Sequence, residues 1–189
     1  MIFPPGLYGI VEPTLGDPLE QARLLADAGA SAVQLRCKGW APDRLLALAV
    51  ACRDLGVPVI VNDDVAVARA AGLPVHVGQD DGVDPDVPFG RSTHTLDHVR
   101  EPGRAAYIGF GPVFGTRSKA TAWDARGLDM LAEVVAASAV PVVAIGGIDL
   151  DNLPAVRATG VYAWAVIGAI WRAPEPRRVI RAMALARIG

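Results

Sequence analysis

The fold of this chain follows from two segments: Pro-Val-Val-Ala-Ile-Gly-Gly-Ile at residues 141–148 and Tyr-Ala-Trp-Ala-Val-Ile-Gly at residues 162–168. Each is a short apolar run that ends in glycine. An apolar run without polar alternation is typical of a parallel strand that is buried on both faces. Glycine directly after it allows backbone amides to approach an anion closely. Two such turns after the last strands of an α/β chain indicate a closed barrel with a phosphate site.

Away from these segments, apolar runs alternate with Ala- and Leu-rich stretches along the chain. The predicted strands are Leu7–Val11, Ala32–Leu35, Val57–Val61, Val75–Val77, Phe89–Ser92, Ala105–Phe110, Pro141–Ile145 and Tyr162–Val166. The predicted helices are Pro18–Ala28, Pro42–Leu55, Val65–Ala71, Leu96–Arg100, Leu128–Ala137, Asn152–Thr159 and Arg177–Ala186. Eight strands that alternate with helices predict a parallel sheet, and eight is the number that closes a barrel.

The predicted fold class is therefore α/β, a compact TIM (β/α)8 barrel in which residues 1–189 form a single domain. The chain of 189 residues is short for this fold, which usually takes ~200 residues or more. We therefore expect one or two degenerate helices, after strand four (Asp80–Val87) and after strand five. A doubly wound open sheet is the alternative, and the two glycine turns favour the barrel.

The composition excludes several classes of function. The net charge is −2 and 20% of the residues are charged, which argues against a nucleic-acid or membrane-surface partner because either would need a basic patch. Two cysteines, Cys37 and Cys52, form no disulfide framework and no zinc motif. The N-terminal residues do not resemble a signal peptide, and no apolar run is long enough for a membrane span. We expect a cytoplasmic protein.

The chain contains only two lysines, Lys38 and Lys119, among its 18 basic residues. Both follow predicted strands, at the point where α/β proteins collect functional residues. An ammonium group is a compact charge on a flexible stem and suits a crowded phosphate. The two positions therefore favour a phosphate site, although loops are also where chance would place a lysine.

Other polar residues follow the same strand ends. They are Gln34 and Arg36 after strand two, Asn62, Asp63 and Asp64 after strand three, Gln79, Asp80 and Asp81 after strand four, Ser92 in strand five, and Thr116 and Ser118 after strand six. Because these ends meet at one rim of a barrel, we expect cations and carboxylates to converge there. This combination suits a pyrophosphate bound with Mg²⁺.

Asp63 and Asp81 are the candidate Mg²⁺ ligands, since they follow adjacent strands. Mg²⁺ is usually held by one or two carboxylates together with substrate oxygens and water. A simpler role is open for Asp63 and for Asp64, because either could cap the helix that starts near Val65.

Nucleophilic catalysis is not indicated by the remaining reactive residues. The sequence shows no Ser-His-Asp or Cys-His order. His76 lies within strand four and is interpreted as structural, His94 as orienting its neighbours, and His98 as exposed on a helix. Cys37 lies between two cations, a position that can lower a thiol pKa.

In several segments of its sequence the chain resembles the thiamine-phosphate synthase family, which includes the thiazole tautomerases. The matching segments are Gln-Leu-Arg-Cys-Lys at 34–38, Val-Asn-Asp at 61–63, Val-His-Val-Gly-Gln-Asp-Asp at 75–81, Gly-Arg-Ser-Thr-His-Thr at 90–95, Tyr-Ile-Gly-Phe-Gly-Pro-Val-Phe at 107–114 with Thr116 and Lys119, and residues 141–148 with the strand-eight turn. They occur in the family's order across nearly the whole chain.

The resemblance implies a transferase that joins 4-amino-2-methyl-5-hydroxymethylpyrimidine pyrophosphate to a thiazole phosphate. It implies that Arg36, Lys38, Asn62, Ser92 and Lys119 bind the pyrophosphate, and that Gln34 and Ser92 contact the pyrimidine. It also implies that Asp63 and Asp81 hold Mg²⁺. The residues implied for the thiazole-phosphate pocket are Thr116, Ser118, Gly147, Ile167 and Gly168.

The chain departs from the family pattern at several positions. Cys37 replaces an acidic residue, Gly-Leu-Pro at 72–74 replaces Ala-Asp-Gly, and strand eight carries Val-Tyr-Ala-Trp-Ala at 161–165. Gly168 replaces a serine, and the loss of its hydroxyl contact is worth roughly 1 kcal/mol. These changes leave room for an altered substrate.

Two alternative functions remain open at this point. The tautomerase branch resembles a barrel with a histidine where this chain has Pro112, and it need not keep the metal-binding aspartates. Pro112, Asp63 and Asp81 together favour the synthase. A non-catalytic barrel that binds thiazole phosphate or thiamine phosphate would explain Cys37 and Gly168.

Overall fold

Eight parallel strands form a closed barrel, in chain order, in the computed structural model, which describes residues 2–115 and 124–186. The strands are β1 (Gly6–Val11), β2 (Ala32–Leu35), β3 (Val59–Asn62), β4 (Val75–Val77), β5 (Phe89–Thr93), β6 (Tyr107–Phe110), β7 (Val142–Ile145) and β8 (Ala163–Val166). Strands β8 and β1 pair in parallel, with Gly6 opposite Ala163, and this pairing closes the ring. The predicted barrel is confirmed, and an open sheet is excluded.

Helices surround the barrel. Their bounds are α1 (Pro18–Asp27), α2 (Pro42–Cys52), α3 (Val65–Ala71), α4 (Leu96–Arg100), α5 (Gly127–Ala137), α6 (Leu153–Ala158), α7 (Gly168–Trp171) and α8 (Pro176–Leu185). Local sequence explains where α1 begins. Pro18 stands at the first position of α1, and Asp17 accepts the Glu20 amide at 2.9 Å as its N-cap. No helix among the described residues is both long and apolar enough to cross a membrane.

The helical layer is reduced where the sequence predicts it. Between β4 and β5 the chain forms turns instead of a helix, and after β5 the helix α4 has five residues. Within residues 2–115 and 124–186, one α-helix was not predicted. The segment at Gly168 was interpreted as a turn only, but it begins α7, whose four residues are too few for a helical period to be visible in a sequence.

Side chains from the strands form two apolar layers. Leu7 and Val11 of β1 belong to the layer between barrel and helices, while Tyr8 and Ile10 belong to the barrel interior. This alternation follows from the period of two in a strand. Phe3, which precedes β1, packs edge-on against Tyr8, with ring centroids 5.3 Å apart. The interior is therefore filled at the end where the strands begin, and functional space is left at the opposite end.

Candidate active site

A cavity of about 430 Å³ opens beyond the ends of the strands. Its size is in the range of small-molecule sites. It is lined by ten of the predicted site residues, Gln34, Arg36, Lys38, Asn62, Asp63, Asp81, Ser92, Gly147, Ile167 and Gly168. Three other predicted site residues, Thr116, Ser118 and Lys119, lie outside the described residues.

Arg36 is held by an acidic partner that the sequence did not reveal. Its guanidinium forms an ion pair with Glu12, and the two side chains are only 13% and 12% exposed. Glu12 is itself positioned by Gln21, whose side-chain oxygen accepts the Glu12 amide at 2.8 Å. Because Glu12 directly follows β1, its place at a strand end was the signal that could have identified it. Arginine has five N–H donors, so this pair still allows Arg36 to donate to an anion in the cavity.

The structure separates the roles of the two aspartates after β3. Asp64 is the N-cap of α3, and its carboxylate accepts the Val67 amide at 2.9 Å. Asp63 adopts a left-handed conformation with a φ of 64° and lines the cavity. This conformation is costly for a residue with a side chain and is typical of functional sites. The Asp63 carboxylate lies 3.9 Å from the ammonium of Lys38.

Asp81 lines the cavity from the turn after β4. Its Oδ2 accepts the Gly78 amide at 2.7 Å, which closes the turn. The guanidinium of Arg91 donates to the carbonyls of Gln79 and Asp81, so the loop is also held from β5. The carboxylate is therefore placed by one local hydrogen bond, and its loop by two bonds from Arg91.

The donor set of the rim fits a magnesium ion. Asp63 and Asp81 follow adjacent strands and could offer the hard carboxylate oxygens that Mg²⁺ prefers. They line the same cavity as Arg36 and Lys38, so two carboxylates offset two cations. A polyanion would meet little net positive charge there unless a divalent cation joined the carboxylates. Within the described residues no group of three His, Cys, Asp or Glu forms an all-protein metal site, and Mg²⁺ bound with a phosphorylated substrate does not need one.

A chain of hydrogen bonds crosses the barrel beneath these charges. The Gln34 amide nitrogen donates to the Tyr8 hydroxyl at 3.1 Å, and the hydroxyls of Tyr8 and Tyr107 are 2.8 Å apart. The Tyr107 hydroxyl lies 2.9 Å from His76 Nδ1, and His76 Nε2 lies 3.0 Å from the Ser92 hydroxyl. All five residues line the cavity. The structural interpretation of His76 was therefore incomplete, and no sequence pattern reveals Tyr8 or Tyr107.

On the opposite side of the rim, glycine lets the backbone form the cavity wall. Gly147 has a φ of 64°, and a Cβ atom there would lie 2.6 Å from the Gly115 carbonyl oxygen. Asn152 fixes the turn, because its side-chain amide donates to the Gly147 carbonyl at 2.8 Å. Gly168 begins α7, shortly after the neighbouring strand β8 ends. The two glycine turns predicted from the sequence therefore face one cavity.

A family model described as thiamine monophosphate synthase matches residues 7–170. The chain belongs to the thiamine monophosphate synthase family. A thiamine-phosphate synthase of Anaeromyxobacter dehalogenans (strain 2CP-C) is 41% identical over 96% of this chain and 87% of the relative. Another, of Laribacter hongkongensis (strain HLHK9), is 38% identical over 93% of this chain and 92% of the relative.

Solved structures agree with membership in the thiamine monophosphate synthase family. A thiamine phosphate pyrophosphorylase from Pyrococcus furiosus superposes with a TM-score of 0.86 at 30% identity, covering 94% of this chain and 93% of that one. A 3-hexulose-6-phosphate synthase superposes with a TM-score of 0.68 at 17% identity. The second likeness shows the barrel fold alone.

Where the family pattern has an acid, Cys37 is a buried thiol. The suggestion of a lowered pKa was wrong: burial, followed by the nearby charge of Glu12, raises the pKa of Cys37 to about 12. Cys37 is 6% exposed, and desolvation outweighs the positive charge of Arg44, which acts in the opposite direction on the pKa. Of the other residues considered, His94 lies 2.8 Å from the Gly111 carbonyl through Nδ1 and His98 is exposed on α4.

Proposed function

We propose that this chain is a thiamine-phosphate synthase, which joins 4-amino-2-methyl-5-hydroxymethylpyrimidine pyrophosphate to a thiazole phosphate and releases pyrophosphate. The observation that carries the proposal is the single cavity that brings together Arg36, Lys38, Asp63 and Asp81 on one side and the turn at Gly147 on the other. Such a cavity offers one place for a leaving pyrophosphate and another for a phosphate monoester. The named relatives support this assignment.

The proposed chemistry is a dissociative substitution at the pyrimidine methylene carbon. The bond from that carbon to the pyrophosphate oxygen breaks, and the bonding electrons leave with pyrophosphate. Arg36, Lys38, Asn62 and Lys119 stabilise the charge that the pyrophosphate gains. The electron-rich aminopyrimidine carries the positive charge that remains, in contact with Gln34 and Ser92.

A new carbon–nitrogen bond then forms from the thiazole nitrogen. Its lone pair attacks the methylene carbon, so electrons balance and no proton must be removed by the protein. The thiazole phosphate is assigned to the part of the cavity lined by Gly147, Ile167 and Gly168, and the family resemblance adds Thr116 and Ser118 as contacts. Holding both partners in one cavity makes the attack effectively unimolecular, which supplies much of the acceleration.

Mg²⁺ is the proposed cofactor, with Asp63 and Asp81 as its protein ligands. When bound, it would neutralise part of the pyrophosphate charge as a Lewis acid. The support for this proposal is the pair of rim carboxylates at an anion site and the strained conformation of Asp63, which places its carboxylate toward the cavity instead of on the helix end.

The alternatives are less well supported. Pro112 lines the cavity and has no titratable group, so it cannot perform the proton transfer that a tautomerase needs. The Cys37 and Gly168 changes do not close the cavity, which weakens the case for a non-catalytic binding protein.

We expect small phosphorylated substrates as partners, with no nucleic-acid or membrane partner, and a cytoplasmic location, which two free buried cysteines support.

The direct test is incubation of the purified protein with both substrates and Mg²⁺, followed by mass analysis for thiamine phosphate. The proposal expects product with Mg²⁺ and a loss of at least ~100-fold in rate after chelation, as for one lost charge-stabilising group. Equal calorimetric binding of pyrophosphate with and without Mg²⁺ would contradict it.

A further inference from the structure

We propose that the hydrogen-bond chain from Gln34 to Ser92 makes the cavity select a 4-aminopyrimidine over its 4-oxo counterpart. In this proposal Tyr8, Tyr107 and His76 are positioning residues, which act through the two residues at the ends. The inference rests on the proposed function and goes beyond it, because it names the groups that decide which heterocycle is accepted.

The geometry supports a continuous chain. The four links measure 3.1, 2.8, 2.9 and 3.0 Å, all within hydrogen-bonding range. The two tyrosines in its middle are 2% and 1% exposed, so water does not replace these bonds readily. Burial raises the pKa of both Tyr8 and Tyr107 above the ordinary value, and each hydroxyl therefore keeps its one proton in neutral solution.

The direction of one bond sets the direction of the others. The Gln34 amide nitrogen donates to Tyr8, so the Tyr8 proton is available for the Tyr107 oxygen. Tyr107 then donates to His76 Nδ1, which requires the tautomer protonated on Nε2. His76 in turn donates to the Ser92 oxygen. Ser92 is left with its own proton to donate into the cavity, while Gln34 presents its carbonyl oxygen as an acceptor.

The opposite arrangement requires every link to reverse at once. If the Gln34 amide turned over, its oxygen would accept from Tyr8, and each later donor would become an acceptor. Each tyrosine hydroxyl has a single proton. Reversing only some of the hydrogen bonds would therefore leave one pair of neighbouring atoms with no proton between them, or with two. Because a buried polar group without a partner is costly, the orientations of Gln34 and Ser92 are coupled.

This direction of donation matches an aminopyrimidine. Its exocyclic amino group donates and its ring nitrogens accept, so Gln34 can accept from the amine while Ser92 donates to a ring nitrogen. A 4-oxopyrimidine places an acceptor in place of the amine and a proton on a ring nitrogen. It would face Gln34 oxygen to oxygen, and correcting one contact would require reversing the entire chain.

The test compares two pyrimidines in four proteins. The KM of the aminopyrimidine pyrophosphate and the inhibition constant of its 4-oxo analogue are measured in wild type, Tyr8→Phe, Tyr107→Phe and Tyr162→Phe. The last variant is the matched control, because the Tyr162 hydroxyl donates to the Phe3 carbonyl at 2.7 Å and is not part of the chain. Wild type is expected to prefer the amine by roughly 100-fold, the value of one or two unmatched buried polar groups.

Either chain variant is expected to reduce this preference about 10-fold or more, since each half can then reorient separately. Tyr162→Phe is expected to leave the preference unchanged. An unchanged ratio in both chain variants overturns the proposal, as does an equal drop in the control. If wild type forms no thiamine phosphate at all, the proposed function fails and this inference fails with it, whereas turnover with an unaltered ratio overturns only the inference.

A second measurement does not depend on the folding of any variant. The ¹⁵N shifts of His76 in wild-type protein at alkaline pH report which nitrogen of the neutral ring carries the proton. The proposal expects protonation on Nε2, and protonation on Nδ1 overturns it.

Discussion

The two halves of the cavity rim present different chemical groups to the cavity. The charged half, formed by Arg36, Lys38, Asp63 and Asp81, presents side-chain charges from the ends of β2, β3 and β4. The glycine half, formed by Gly146, Gly147 and Gly168, presents backbone at the ends of β7 and β8. A charged side chain presents a full charge, whereas a glycine turn lets the fixed dipoles of the backbone approach an anion closely.

This difference corresponds to what each anion does in the proposed reaction. The pyrophosphate gains charge as its bond breaks, so groups that interact more strongly with the leaving form accelerate the reaction. The phosphate on the thiazole keeps its charge throughout, and binding it equally at all stages is sufficient. We therefore expect changes in the charged half to lower kcat and changes in the glycine half to raise KM for the thiazole phosphate.

The largest effect is expected from Asp63→Asn. Loss of a proposed Mg²⁺ ligand should reduce Mg²⁺-dependent turnover by at least ~100-fold, with a nearly unchanged melting temperature. Asp64→Ala is the matched control: it should destabilise the fold by about 1 kcal/mol through loss of the α3 cap and spare turnover. Steady-state kinetics and thermal melts measure both. Normal turnover in Asp63→Asn would remove Asp63 from the metal site.

A second large effect is expected from Lys119→Ala. The proposal assigns this ammonium to the leaving pyrophosphate, and the loss of such a charge typically reduces kcat by roughly 100-fold. KM for the thiazole phosphate should change much less. Wild-type kinetics in this variant would show that the charged half does not extend to Lys119.

An intermediate effect is expected from Gly147→Ala. The new Cβ would lie 2.6 Å from the Gly115 carbonyl oxygen, so the turn must shift, and we expect KM for the thiazole phosphate to rise about 10-fold, equal to 1.4 kcal/mol. Gly160→Ala is the control for backbone strain, because Gly160 has a φ of 82° but its nearest contact would be Val135 at 3.5 Å.

Both glycine variants should lose roughly 1–2 kcal/mol of stability from the left-handed conformation. Only Gly147→Ala should alter KM. A fall in kcat with an unchanged KM in Gly147→Ala would contradict the expectation that the glycine half affects KM and the charged half affects kcat.

The smallest effect is expected from Cys37→Ser, which should leave turnover nearly unchanged because the thiol contacts neither anion in the proposed reaction. With its pKa raised to about 12, the neutral thiol is the form present in the folded protein up to strongly alkaline pH. Its alkylation at pH 8 should be about 1000-fold slower than that of an ordinary thiol, since the thiolate fraction falls by that factor. Mass analysis against the denatured chain measures this, and complete inactivation by the serine would show that the thiol has a role.

Raising the pH provides a further check on Cys37. A thiol whose pKa is raised on folding favours the folded state at pH values below its ordinary pKa of 9.0. That contribution decreases as pH rises from about 9 to about 12, because the unfolded thiol ionises first. The Cys37→Ser variant should lose less stability than wild type over this interval.

The hydrophobic pattern and the residue types were sufficient to predict much of the fold and of the candidate site. Short, mostly apolar runs gave all eight strands, with Ala32–Leu35 and Val75–Val77 at their observed bounds, because a strand buried on both faces is largely apolar. Gln34 and His76 are polar exceptions within these two strands, and both line the cavity. Polar residues at strand ends gave the candidate site, since parallel strands bring those ends to one rim. These inferences depend only on local chemistry and on topology.

Three-dimensional contacts were needed for the rest. The partner of Arg36 is Glu12, 24 residues away, and the link between Tyr8 and Tyr107 spans 99 residues. Burial reversed the expected shift of the Cys37 pKa, and the division between Asp63 and Asp64 depended on one positive φ. Local sequence fixes which groups are available, but desolvation, backbone conformation and cross-barrel hydrogen bonds arise only when distant strands meet.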